Sequence, residues 1–253
     1  KHIWHIREFM SLDHHSFFIL GKNIKSKLIN WSNGTIYVSK AVLDFVNPKK
    51  YSSGTHKVIY NGIDSTNNIL IDRNISKEKV TFGMVGIIDE GKGQELAIKY
   101  FYKLLQNYPN SKLKIYGDKG GPYKRKIIQL VQTLEIIDKV LFEGFVDNQS
   151  QIYSSFDILL MFSKAEGFGR VTIESSLYGV PVIGYDNAGT SELIIHKKTG
   201  YLFNNFSSFE SGVRFMLTSD NYRKVREHAF KNSKKHYNKL HYCKEVYKFM
   251  LNI

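Results

Sequence analysis

Two glutamates, Glu166 and Glu174, stand eight positions apart across a glycine-rich turn, in the run EGFGRVTIE. The turn precedes an amphipathic segment, so we expect Glu166 in a loop and Glu174 in the first turns of a helix. An ionised carboxylate accepts two hydrogen bonds in good geometry, which suits the hydroxyls of a sugar or a ribose. The same pattern also fits an ordinary turn residue followed by an exposed helix residue, and spacing alone leaves both interpretations open.

A second candidate is the glycine-rich segment 86–93, which follows a strand-like run and precedes another helical pattern. Its glycines would let the backbone approach a phosphate, the helix N-terminus attracts anions, and Lys92 adds a full charge. A P-loop needs Ser or Thr after the lysine to hold Mg²⁺, whereas this sequence has Gly93 there. We therefore expect a phosphate cradle that needs no metal. A plain strand–helix turn with a solvated lysine is the alternative.

The remaining polar clusters are less specific. Residues 186–192 follow a strand-like run, which places them at a ligand-binding edge, but Thr190 or Ser191 could equally be a helix N-cap. His2 and His5 could face the same way on a helix, yet no further ligand has metal spacing near them. A single cysteine, Cys243, excludes a disulfide framework and a Cys-based zinc site. We expect no metal.

These candidates follow elements that alternate between strands and helices from about residue 79. Apolar strands alternating with amphipathic helices predict an α/β fold, a doubly wound parallel sheet that binds ligands beyond the carboxyl ends of its strands. From residue 206 the pattern is helical only. Before residue 79 it is less regular. The sequence predicts strands at 35–39, 57–60, 80–85, 113–116, 140–142, 157–161 and 182–184, and helices at 94–105, 123–134, 149–155, 171–178 and 190–195.

Charge is concentrated at the two ends of this 253-residue chain, which has a net charge of +13. Residues 1–60 and 220–253 each carry nine Lys or Arg and three acidic residues, whereas the middle is nearly neutral. A nucleic-acid binder would usually carry a basic stripe over its working surface, so we expect no nucleic-acid partner. The basic C-terminal run fits a solvated helix face, or attraction to an anionic membrane surface. The longest apolar run of the whole chain, 158–162, is too short to span a bilayer.

Taken together, the order of these motifs resembles glycosyltransferase family 4, whose members are retaining enzymes of the GT-B fold. The resemblance is strong over residues 57–203, reaches back to 4–9, and is closest to bacterial cell-surface and capsular polysaccharide enzymes. The matching segments are 58–64 at an interdomain linker, the loop 86–93, then 142–145, 166–174, 179–184, 189–192 and 199–203.

The resemblance implies a role for each matching residue. Lys92, Glu166 and His5 would be the catalytic residues, with Lys92 on the donor diphosphate and Glu166 on the donor sugar hydroxyls. Glu174 would hold the ribose, and His5 would lie near the donor phosphate or the acceptor, although it also fits a buried structural residue. The other expected donor-binding residues are Gly86, Phe145, Val146, Gly167, Phe168, Gly169, Val171 and Thr172.

The resemblance also implies a mechanism. Lys92 and a helix N-terminus would stabilise the leaving diphosphate in place of a metal, and the diphosphate would take the acceptor proton. A second carboxylate nucleophile would be unnecessary, unlike in retaining glycosidases. One departure matters, because the family commonly has an arginine where this chain has Ile87. Arg170 is the candidate to compensate.

These observations predict a Rossmann-like GT-B C-terminal domain with C-terminal helices. We expect residues 1–75 to be the remnant of an acceptor-side domain plus linker, 76–235 the donor domain and 236–253 a C-terminal helix. Since the sequence opens with Lys1, we expect a truncation there.

The expected function is sugar transfer from a nucleoside-diphosphate sugar to a saccharide or lipid-linked acceptor. A non-catalytic sugar-nucleotide-binding module is the alternative. We expect a cytoplasmic protein whose basic ends could contact the inner face of the cell membrane.

Overall fold

The computed structural model describes residues 1–9, 31–46, 55–66, 68–70 and 73–253. Its larger part is a six-stranded, fully parallel sheet in the order β6-β5-β4-β7-β8-β9. The strands are β4 (Thr81–Val85), β5 (Lys112–Tyr116), β6 (Val140–Gly144), β7 (Ile158–Met161), β8 (Val182–Tyr185) and β9 (Tyr201–Phe203). This order is that of a Rossmann-type doubly wound sheet, as predicted.

A smaller parallel sheet, in the order β1-β2-β3, is formed by the N-terminal segments. Its strands are β1 (Ile3–Ile6), β2 (Gly34–Tyr37) and β3 (Thr55–Val58), and α1 (Lys40–Val46) follows β2. The sequence did not predict β1. The suggestion that His2 and His5 share a helix face is wrong, because His5 lies in β1 and His2 directly precedes this strand. Only four residues long, β1 shows no periodicity that separates it from a loop.

Of the remaining helices, the first five connect successive strands of the larger sheet and the last three follow β9. They are α2 (Gln94–Leu104), α3 (Gly121–Thr133), α4 (Gln149–Ser154), α5 (Arg170–Leu177), α6 (Ala188–Leu193), α7 (Phe206–Met216), α8 (Ser219–His236) and α9 (Lys239–Leu251). For the predicted strands and for α2 to α6, predicted and observed boundaries agree to within two residues, whereas the C-terminal helix predicted at 236–253 begins at Lys239 and ends at Leu251. The N-cap of α6 differs: Asn187 occupies it, and Thr190 and Ser191 lie inside the helix.

The main core lies between the six-stranded sheet and its helices. Phe82 on β4, Phe101 on α2 and Leu113 on β5 are fully buried in it. Burial on both faces explains why these strands read as continuous apolar runs rather than as alternating ones. Strand β9 was not predicted, because three residues are too few to show a period.

The chain crosses between the two sheets at two adjacent places. Ile63 bridges to Asn238, with the Ile63 amide donating to the Tyr237 carbonyl at 2.7 Å. Helix α9 then packs on the smaller sheet, where Phe249 is buried against Ile36 and neighbouring residues. Among the described residues, no helix has the length and hydropathy needed to cross a membrane.

Candidate functional site

A cavity of about 790 Å³ opens where β4 and β7 end side by side. At this point the connections after β4 and β7 lead to opposite sides of the sheet, which is where such folds bind ligands. A smaller cavity of about 180 Å³ adjoins it and shares Lys92, Glu166 and Arg170 in its lining. The two glycine-rich motifs singled out from the sequence therefore meet at one cleft.

One wall of the cleft is the loop that follows β4. Gly86 begins it with a φ of 141°, and the buried Gln94 holds it in shape by donating to the Ile87 carbonyl at 2.9 Å. Asp89 caps the short turn that carries Lys92. A Cβ at Gly93 would overlap the carbonyl of Phe162, so the position where a P-loop has Ser or Thr accepts only glycine. The geometry thus agrees with a cradle that is not a P-loop.

Lys92 and Glu166 face each other across this cleft. The lysine Nζ lies 2.8 Å from Glu166 Oε2, and the carboxylate is the more buried partner, with 16% of its side chain exposed. The pair joins the loop after β4 to the loop after β7, and both charges border the cavity. An anionic ligand that reached Lys92 would have to compete with Glu166 for the ammonium group.

The opposite wall is the N-terminus of α5. Gly169 is its N-cap, in a left-handed conformation with a φ of 88°, and a glycine has no side chain with which to cap the helix. Apart from the Thr172 amide, which donates to the Gly169 carbonyl at 2.9 Å, the first amides of α5 have no partner within the helix, and the helix dipole favours negative charge at this end. Arg170 and Val171 line the cavity here, as do Gly167 and Gly169.

Glu174 lies within α5 and is 6% exposed. Its Oε1 accepts from Arg170 Nε at 2.6 Å and from Gln149 Nε2 at 3.2 Å, and its Oε2 accepts from Tyr153 at 2.9 Å. Burial, followed by the nearby Glu174 carboxylate, raises the pKa of Tyr153, so this phenol remains a hydrogen-bond donor. Glu174 thus has three protein partners and does not line either cavity, whereas Glu166 lines both.

The other predicted donor-binding residues differ in position. Phe168 is 4% exposed, and its ring packs near Tyr60 and Tyr237 although the residue borders the cleft. Thr172 is buried, and its hydroxyl has no hydrogen-bond partner among the described residues. Phe145 is 79% exposed just beyond β6, and Val146 packs at the edge of a neighbouring core cluster.

His5 does not line the cleft. Its ring lies against Tyr242 of α9, with centroids 6.2 Å apart, and burial together with Arg7 lowers its pKa. Arg7 and Glu8, two and three residues further on, do border the cavity, and Arg7 donates to Asn61 at 3.2 Å. Sequence reasoning missed Arg7 because it carried the family's role to His5. Prediction of strand β1 could have found Arg7, because the residues that directly follow a parallel strand lie at the edge of the sheet where ligands bind.

The cleft lining carries both signs of charge, with the basic side chains Arg7, Lys92, Lys164 and Arg170 and the acidic side chains Glu8, Asp89, Glu90 and Glu166. Across the residues that the structure describes, no group of three or more His, Cys, Asp or Glu side chains is arranged to hold a metal ion. Lys92, Arg170 and the first turn of α5 together suit a phosphate or diphosphate, and Glu166 suits a hydroxyl group.

Comparisons with solved structures support this fold. A crystal structure of the Anabaena protein Alr3699/HepE in complex with UDP superposes with a TM-score of 0.87 at 21% identity, covering 99% of this chain and 72% of that one. Sucrose-phosphate synthase from Thermosynechococcus elongatus gives 0.83 at 17% identity, covering 99% and 67%.

Curated relatives match over shorter stretches. N-acetyl-alpha-D-glucosaminyl L-malate synthase of Bacillus anthracis is 32% identical over 58% of this chain and 39% of its own length. A Campylobacter jejuni N-acetylgalactosaminyltransferase, which is named for a diphospho-undecaprenol acceptor, is 28% identical over 81% of this chain and 55% of its own. The chain thus spans about two fifths to just over half of these relatives. Residues 66–236 match the family described as glycosyl transferases group 1. The chain belongs to this family.

Proposed function

We propose that the cleft binds a nucleoside-diphosphate sugar and that the protein transfers the sugar to a saccharide or lipid-linked acceptor. The observation that carries this proposal is the Lys92–Glu166 pair opposite the uncapped N-terminus of α5. A diphosphate can take the ammonium and the helix amides, while a sugar hydroxyl can take the carboxylate. The family membership supports the same reaction class.

The diphosphate is the leaving group, and negative charge grows on it as the anomeric bond breaks. Lys92 and the α5 amides would stabilise that charge, which is the contribution that a metal makes elsewhere. We therefore propose a reaction independent of metal. Retention, as in family 4, would follow if the acceptor attacks from the leaving-group face and the diphosphate takes its proton.

Names of the relatives support the substrate classes. One is named for a sugar acceptor on a diphospho-undecaprenol lipid, and others for O-antigen biosynthesis. We propose a glycan or lipid-linked acceptor in the synthesis of a bacterial surface polysaccharide.

Product analysis tests the transfer. The chain is incubated with UDP-, GDP- and dTDP-sugars and with saccharide and polyprenyl-diphosphate acceptors in EDTA, and the released nucleotide and the anomer are measured. Release that depends on an acceptor, with the anomeric configuration of the donor sugar retained in the product, supports the proposal. Nucleotide binding without release under any of these conditions would favour a non-catalytic sugar-nucleotide-binding module. The observation that favours this alternative is Ile87, which stands where the family commonly has an arginine.

Peripheral contact with an anionic membrane is proposed for the outward face of α9. Leu240, Tyr247 and Leu251 are each about 65% exposed and recur at helical spacing, with Lys244 between them. Basic and apolar side chains on one face suit a surface that offers both anionic headgroups and an acyl boundary. Flotation with phosphatidylglycerol vesicles should fall for Leu240→Glu, and equal flotation of the two proteins would contradict this contact. Binding to RNA instead of vesicles would also contradict it.

A further inference from the structure

Glu192 joins helix α6 to the N-terminal segment, which comprises the smaller sheet, α1 and Tyr60. The connection consists of three hydrogen bonds. Its Oε1 accepts from the Ala41 amide at 2.7 Å, and its Oε2 accepts from the Lys40 amide at 2.9 Å and from the Tyr60 hydroxyl at 2.8 Å. Glu192 lies on α6, whereas its partners lie on α1 and after β3. The carboxylate therefore bridges parts of the chain more than 130 residues apart.

The bridge completes the N-terminus of α1. Ser39 accepts from the amide of Val42 at 3.1 Å, and Glu192 accepts from the two amides before it. The first amides of a helix have no partner within the helix, and a negative charge there is favourable. Hydrogen bonds to an ionised acceptor are about twice as strong as neutral ones. Glu192 is thus an ionic N-cap supplied from another part of the molecule.

Tyr60 adds an aromatic contact beside the bridge. Burial, and then its hydrogen bond to Glu192, raise the pKa of this phenol, so it remains a donor at physiological pH. Its ring lies against Phe168, at 6.3 Å between centroids, and Phe168 belongs to the turn that borders the cleft.

The bridge is also linked to Glu166. Gly189, one turn before Glu192 on α6, donates its amide to the Glu166 carbonyl at 2.9 Å. A Cβ at Gly189 would lie 2.6 Å from that carbonyl oxygen, and a Cβ at Gly167 would lie 2.8 Å from the Arg7 carbonyl. The helix that carries Glu192 therefore packs directly on the cleft loop, which in turn packs on the segment that carries Arg7.

We propose that Glu192 is a positioning residue that holds the N-terminal segment closed over the cleft and keeps Arg7 at its rim. The proposal rests on the proposed function for its kinetic consequences only. Glu192 lines neither cavity, so it acts through α1, Tyr60 and the Glu166 loop rather than on the substrate.

The kinetic test compares Glu192→Gln and Tyr60→Phe with Glu227→Gln. This control removes a carboxylate on the exposed face of α8, which lies 3.9 Å from the Lys231 ammonium. A glutamine keeps the size of the side chain but has one acceptor oxygen for three donors. We expect kcat to fall about tenfold or more in Glu192→Gln, because the loss involves charge-assisted hydrogen bonds. The Kd should change less than about threefold for whichever of UDP, GDP and dTDP the unchanged chain binds. Tyr60→Phe should give a smaller fall in kcat, and the control none.

A distance measurement tests the closure without any activity. Cys243 is the single cysteine and is exposed on α9, which packs on the smaller sheet. With Arg125→Cys on α3, spin labels at the two cysteines report the separation of the N-terminal segment from the larger sheet. Glu192→Gln should lengthen and broaden that distance relative to Glu227→Gln, with thermal unfolding confirming that each variant folds.

The two measurements separate the two ideas. An unchanged distance in Glu192→Gln, or a kcat equal to that of the control, overturns the positioning role. Absence of nucleotide binding in every protein, including the unchanged chain, refutes the proposed function while the distance result still decides whether Glu192 closes the cleft.

Discussion

Lys92 and Glu166 form an ion pair at 2.8 Å that joins the two loops of the cleft. Each residue is expected to hold a different part of the donor, yet without a ligand each neutralises the other. The pair keeps both side chains in place and balances the charge of a partly buried site. In the proposed function, donor binding would therefore exchange one ionic contact for another rather than fill a bare positive pocket.

Substitutions in this pair should act in opposite directions on nucleotide affinity. Lys92→Ala removes a charge-assisted contact worth about 1.5–3 kcal/mol, so the Kd for the preferred nucleoside diphosphate should rise about 10- to 100-fold. Glu166→Gln releases Lys92 from its partner, so nucleotide affinity should be equal or higher, while turnover falls. Calorimetric titration measures the affinities.

A matched control for these titrations is Lys77→Ala, which removes an exposed lysine outside the cleft. It should bind nucleotide as the unchanged chain does. Weaker nucleotide binding by Glu166→Gln than by Lys92→Ala would show that the ion pair does not compete with the ligand.

Arg7→Ala should weaken donor binding or turnover about fivefold, because a cation at the cavity rim contributes a solvent-screened interaction of about 1 kcal/mol. Arg125→Ala, on the exposed face of α3, is the control for loss of an arginine. The kcat and KM of both variants are measured with the same donor. Equal values for the two would remove Arg7 from the site.

Substitution of Gly93 should destabilise the fold. Gly93→Ser must adopt a φ of 74° and push its Cβ against the Phe162 carbonyl. We expect the free energy of unfolding to fall by about 3 kcal/mol, because the cost of a non-glycine residue in the left-handed region adds to the cost of the backbone clash. Gly91→Ala is the control, because its Cβ would make an ordinary 3.6 Å contact with Asp89. Urea unfolding of both measures the difference, and similar midpoints would contradict the clash.

His5 should influence stability rather than chemistry. Burial, with Arg7 nearby, lowers its pKa in the folded protein. The unfolded chain therefore takes up the proton more readily, so the stability contribution is complete above the unfolded pKa of about 6.5 and is lost as the pH falls below it. His5→Phe should keep the contact with Tyr242 and reduce the loss of stability on acidification.

Unfolding free energies of both proteins, measured as the pH falls from neutral towards about 5, test this expectation. A residual slope is expected from His56, whose pKa burial also lowers. If His5→Phe instead abolished turnover at neutral pH with stability unchanged, the catalytic role first assigned to His5 would be correct.

The sequence predicted the larger sheet well because its strands are buried on both faces and its helices carry apolar stripes. Phe82 lies in a continuous apolar strand and Phe101 on the apolar stripe of a helix, and both are fully buried, as these patterns indicated. Turn glycines placed the two loops, and these local features could be predicted from sequence. The contact between Lys92 and Glu166 depends in addition on β4 and β7 being neighbours in the sheet.

Tertiary contacts between distant side chains could not be predicted from the sequence. Whether Glu174 faces the cavity depends on Arg170 and Tyr153, which fold back onto its oxygens. The choice between His5 and Arg7 depends on the direction of a four-residue strand. Glu192 reads as a helix residue near an N-cap, and only the fold shows that it caps α1.

Titration of the unchanged chain with UDP, GDP and dTDP in the presence of EDTA tests the central claim most directly. We predict one-to-one binding of one of the three, retained without metal and weakened when the matching nucleoside monophosphate is used, because the diphosphate makes the contacts with Lys92 and α5. Absence of heat with all three, or binding that EDTA abolishes, would contradict the account of this cleft as a metal-independent nucleotide-sugar site.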